Sequence, residues 1–111
     1  MNKHILVVDD DAHMRSILQE VLANEAYVVE TASDGLSALD KLIHQQVMPE
    51  VILLDLNLTR MNGLQLIEAL RQHEEVRLDS IIVLSGDSDA LQQASRLLKL
   101  IRTMIVQPLD S

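Results

Sequence analysis

The chain contains no cysteine, no tryptophan and no phenylalanine, and Tyr27 is its one aromatic residue among 111. Without thiols there are no disulfides and no thiolate metal sites, which suits a reducing, cytoplasmic setting. Without large rings, the core has to be built from Leu, Ile, Val, Ala and Met. Basic residues are also scarce: 9 Lys and Arg stand against 17 Asp and Glu, a formal net charge of −8. That balance argues against direct nucleic-acid binding, because phosphate backbones are held by Lys and Arg. No apolar run approaches the roughly 18 residues that span a bilayer. Met1-Asn2-Lys3-His4 leads straight into a strand pattern, so no secretory signal is expected.

What is present is 48% hydrophobic residues in short runs, enough for one core in one domain over residues 1–111. The organising stretch is Val51-Ile52-Leu53-Leu54-Asp55, four branched apolar residues ending in a carboxylate. Such a run reads as a strand buried on both faces, as in a parallel sheet. Ile5-Leu6-Val7-Val8-Asp9-Asp10-Asp11 repeats the pattern earlier.

Between and after these runs, apolar residues recur at helical spacing. Ile17, Leu18, Val21 and Leu22 mark a first helix, with Asp11 as its cap; Leu36, Leu39, Leu42 and Ile43 mark a second. Leu66, Ile67 and Leu70 mark a third, and Leu91, Ala94, Leu97, Leu98 and Ile101 a fourth. Strands are expected at 4–9, 27–32, 51–55, 80–84 and 103–106. Strands alternating with amphipathic helices give right-handed crossovers and a doubly wound parallel α/β sheet.

A parallel sheet delivers the carboxyl ends of all its strands to one edge, where open α/β folds place their sites. That edge would gather Asp9, Asp10, Asp55, Ser85 and Gln107. Carboxylates this close repel unless a cation is shared. Hard oxygen donors point to magnesium, which takes one or two carboxylates and keeps several waters. A metal-bound Asp beside a hydroxyl suits a phosphoryl acceptor. By contrast, Asp34 reads as a turn or cap residue. His4, His13, His44 and His73 are scattered without ligand spacing and read as surface residues, and Met14, Met61 and Met104 as packing.

In order along the chain, Val7-Val8-Asp9-Asp10, Ala32-Ser33-Asp34-Gly35-Leu36, Leu54-Asp55-Leu56-Asn57-Leu58-Thr59-Arg60-Met61-Asn62-Gly63 and Ile82-Val83-Leu84-Ser85-Gly86 resemble the motifs of a two-component response-regulator receiver domain. The third segment is similar to that family's D-L-x-M-P-x-M-D-G. The resemblance implies a flavodoxin-like five-stranded sheet in the order 2-1-3-4-5. It implies that Asp55 accepts a phosphoryl group from a sensor histidine kinase or phosphotransfer protein. Asp10, Asp55 and the Asn57 carbonyl would hold Mg2+, with Asp9 acting through water and Ser85 contacting the phosphoryl oxygens. Asp87 would tune dephosphorylation, and an output domain would lie C-terminal to this segment.

Three departures from the family stand out. Gln107 replaces the phosphate-contacting Lys, Met104 replaces the aromatic switch residue, and the usual fifth helix is missing after Pro108. A truncated chain accounts for the last, with a homodimer through the uncovered face as a second reading. The first two leave open a phosphorylation-independent pseudo-receiver acting as an interaction module. The D-x-D-x-T loop of haloacid-dehalogenase phosphatases is a poorer match, since its second Asp is Asn57 here.

Overall fold

The computed structural model describes residues 3–45, 47–56, 58, 60–73, 81–84 and 96–101. Over these, the order is β1 (His4–Val8), α1 (Ala12–Asn24), β2 (Val28–Ala32), α2 (Gly35–Ile43), β3 (Val51–Leu54), α3 (Gly63–Leu70) and β4 (Ile81–Val83), followed by helical residues 96–101. The strands form one parallel sheet in the order β2-β1-β3-β4. The expected fifth strand at 103–106 lies outside the described residues. No described helix is long and apolar enough to cross a membrane.

Strand alternation decides which side chain meets which helix. Ile5, Val7, Val51 and Leu53 face one way and pack with Leu18 and Leu22 of α1 and with Leu97 and Ile101. Leu6, Val8, Ile52 and Leu54 face the other way, against Ala38 and Leu42 of α2 and Leu66 and Leu70 of α3. Helices on both faces explain why β1 from Ile5 on, and all of β3, read as unbroken apolar runs. The second helix differs in detail from its sequence pattern. Ala38 is buried there, whereas Leu36, in the first turn, is exposed.

Caps set the helix starts. Asp11 Oδ1 accepts from the His13 and Met14 amides, and Asp34 Oδ1 from Ser37 N–H at 2.8 Å. Asn62 and Gln65 form a reciprocal capping box on α3. These caps place the first turns of all three helices beside the carboxyl edge of the sheet. α1 is capped at its other end by Glu25 and followed by Ala26, whose φ of 71° lies in the left-handed region.

The strand register aligns Val8 with Ala32 on one side and Leu54 on the other. The ladder continues one step further, with Asp9 N–H donating to Ala32 O at 3.1 Å and Asp55 N–H to Val8 O at 3.0 Å. Asp9 and Asp55 are therefore the first residues beyond adjacent strand ends, each one place past a strand expected to include it. The direction in which successive strands are added to the sheet reverses between β1 and β3, the position where doubly wound sheets open a crevice.

Gly35 supports this edge by close approach. A Cβ there would overlap the carbonyl oxygen of Met61, so the start of α2 and the loop after β3 touch backbone to backbone. We expect Gly35→Ala to lower stability by about 1–3 kcal/mol in urea unfolding, despite the better helix propensity of Ala, because a rigid carbonyl has to move.

Candidate phosphoacceptor and cation site

Asp9, Asp10 and Asp55 each offer a carboxylate oxygen such that all three atoms lie within 4.8 Å of one another. Asp9 is buried, Asp55 half-buried and Asp10 exposed. The cluster thus grades from the sheet interior to its rim. Asp9 is steered by its neighbours: Oδ1 accepts the Asp11 amide at 2.9 Å, and its carbonyl accepts Arg15 Nη1 at 2.7 Å. Arg15 of α1 thereby ties the helix back to the strand end, a contact that the sequence pattern gave no reason to single out.

Electrostatics follow from the crowding. Burial, together with the negative charges of Asp55, Asp10 and Asp11, pushes the Asp9 carboxyl up to about 6, against the hydrogen bond from Asp11. A group held this way is unfavourable as an anion until a cation is shared. The donor set is all oxygen, partly charged and open on one side, which matches the hard-cation chemistry of magnesium. Asp10 and Asp55, being the less buried pair, are the carboxylates reachable by a hydrated ion.

The other sequence-selected positions divide clearly. Asn57, Ser85, Asp87, Met104 and Gln107 lie outside the described residues. Asp34 is the α2 cap, 7% exposed, and its second oxygen accepts Arg60 Nε at 2.8 Å. His4, His13 and His44 are exposed, with His44 Nδ1 3.0 Å from Asp40. Met14 and Met61 pack against the two cores.

The family model for the response regulator receiver domain matches residues 5–109. The chain belongs to that family. Sporulation initiation phosphotransferase F of Bacillus subtilis is 32% identical over 110 residues, covering 99% of this chain and 86% of that protein. The alkaline phosphatase synthesis transcriptional regulatory protein PhoP of the same organism is 42% identical over 74 residues, covering 67% of this chain and 30% of that protein. Against the probable transcriptional regulator ycf27 of Guillardia theta, the chain is 36% identical and spans 34% of that protein's length. Among solved structures, the chemotaxis response regulator CheY4 of Vibrio cholerae superposes with a TM-score of 0.79 at 25% identity, over 95% of this chain and all of that one. The fold is therefore flavodoxin-like, of the CheY type, and receivers of this kind bind Mg2+ at an acidic pocket.

The raised Asp9 value has a definite sign. The native receiver keeps its proton while the unfolded chain, at the ordinary 3.8, releases it. Native protein then binds more protons, and stability falls as pH rises from about 4 through about 6. Without divalent cations we expect a loss on the order of 2 kcal/mol across that window in urea titrations, absent in Asp9→Asn. Asp34 acts the opposite way. Arg60 and the Ser37 amide hold its carboxyl below the usual range, so its contribution is present above that range and disappears only on stronger acidification.

Proposed function

We propose that this receiver is a phosphoacceptor in two-component signalling, with Asp55 as the acceptor. The observation that carries the reading is the three-carboxylate cluster at the carboxyl edge of β1 and β3, in a chain of the receiver family. A nucleophilic Asp must be unprotonated, exposed enough to meet a donor, and relieved of its neighbours' charge. Asp55 is half-buried just beyond the strand end, and Asp9 beneath it carries the burial.

In the reaction we infer, an Asp55 carboxylate oxygen attacks the phosphorus of a phosphohistidine on a sensor kinase or phosphotransfer protein. A P–O bond forms, the P–N bond breaks, and its electron pair returns to the imidazole, which takes up a proton. Asp10, Asp55 and the Asn57 carbonyl would hold Mg2+, with Asp9 binding through water. When bound, the ion offsets negative charge on the carboxylates and the transferred group. Asp9 in its buried position orients that shell rather than contacting the donor.

The remaining assignments extend the same reading. Ser85 donates to a phosphoryl oxygen and reports its presence to the face of the fourth helix and fifth strand. Gln107 donates a hydrogen bond but brings no charge, so the acyl phosphate here is less well compensated than one facing an ammonium group. Met104 removes the aromatic ring from the switch, leaving an unbranched, adaptable side chain. Asp87 tunes the access of the hydrolytic water. A cytoplasmic location, an output domain following this segment and pairing of receivers as a homodimer belong to the same proposal. The pseudo-receiver alternative draws no support from the family match.

Incubation with acetyl phosphate and Mg2+ tests the chemistry. We expect mass spectrometry to show one added phosphoryl group that is labile in base, requires Mg2+ and is lost in Asp55→Asn; an unmodified wild-type chain contradicts the reading. In the same assay Gln107→Lys should accumulate phosphoprotein about tenfold faster, from replacing a neutral hydrogen bond by a charge-assisted one.

A further inference from the structure

The loop between β3 and α3 carries the residues next to Asp55, and the structure pins it at several points. Gly63 N–H donates to the Leu56 carbonyl at 3.0 Å, and a Cβ on Gly63 would lie 2.7 Å from Leu56 Cα. Leu58 is buried in the core beneath α2 and α3. Met61 presses its carbonyl on Gly35. Between these lies Arg60, with φ at 64°, a left-handed conformation that a non-glycine residue adopts only at a steric cost. Its Nε reaches Asp34 at 2.8 Å.

Asp34 spends both oxygens. Oδ1 takes the Ser37 amide at the α2 N-terminus, and Oδ2 takes Arg60. Although Arg60 is largely exposed, the Asp34 side chain is only 9% exposed, so this is not an ordinary surface pair. If Arg60 were removed, a nearly buried carboxylate would lose its counter-charge. The residue at 60 would also lose what holds it in the left-handed region.

We propose that the Arg60–Asp34 pair is a positioning device for the cation site: it locks the loop after β3 onto the start of α2 and so fixes the ligand geometry around Asp55. This rests on the cation-site reading of the acidic cluster. Arg60 touches neither the ion nor the phosphoryl group. It acts through the backbone of the loop that begins at Asp55, held at Leu56, Leu58 and Met61. Relaxation of Arg60 to the right-handed region would rotate the peptide planes flanking it and release the constraint on that loop.

The test is Mg2+ affinity of the intact chain, measured calorimetrically at neutral pH and at a temperature where every variant is folded. Asp34→Asn retains a good N-cap and removes only the charge. Arg60→Gln removes the other partner, and Arg60→Gly removes it while making the left-handed conformation free of cost. Each single substitution, Arg60→Gly included, should weaken Mg2+ binding by about tenfold, the low end of what outer supports of a metal site contribute. The double variant Asp34→Asn/Arg60→Gln should be no weaker than either single one. Gln65→Ala, which breaks the α3 capping box, should lower the thermal midpoint yet leave the affinity unchanged. Wild-type affinity in Arg60→Gln or Arg60→Gly, additive losses in the double variant, or an equal loss in Gln65→Ala would each overturn the proposal. Failure of the wild-type chain to bind Mg2+ at all would overturn the site reading beneath it.

Discussion

Mutual repulsion among three carboxylates, held by two neighbouring parallel strands, is the constraint on which the site depends. Asp9 and Asp55 cannot move apart, because each is fixed by a ladder hydrogen bond from its own amide to the adjacent strand. Those bonds rest on a register locked by side chains buried on both faces, and a one-residue slip would exchange the two faces of β1 or β3. The fold therefore stores an electrostatic cost at one edge and keeps it there. In the proposed reaction a divalent cation would offset that cost, and the phosphoryl group would be added where the cation can share its charge.

The same logic explains why burial is unevenly distributed within the cluster. Asp9 takes the desolvated position and the raised protonation midpoint, leaving Asp55 half-exposed toward solvent. Arg15 does not quench Asp9, since it is bonded to the backbone carbonyl rather than the carboxylate. The described positive charge nearest in role, Arg60, is engaged by Asp34.

Much of this was legible in the residues alone. The runs 5–8 and 51–54 revealed two-sided burial, and the caps Asp11 and Asp34 were recognisable from their place before helical stripes. Four of the five expected strands pair in the expected order; the fifth lies outside the described residues. Strand ends were read one residue too long at Asp9 and Asp55, because periodicity marks burial and not where a ladder stops. The Arg60–Asp34 pair and the Arg15 contact have no signature in the sequence. They join positions 26 and 6 residues apart through loop conformation, and no period of helix or strand encodes such an encounter. The Gly35–Met61 approach was equally invisible, since only the assembled layers bring α2 against the loop.

Whether crowding at the strand ends strains Asp9 is tested most directly by site-resolved carboxyl NMR of Asp9 across a pH titration, with and without Mg2+. A midpoint near 6 is expected in the metal-free receiver, moving down toward the ordinary carboxylate range when Mg2+ is bound. An Asp9 midpoint near 3.8 without metal, or one that Mg2+ leaves in place, would contradict it.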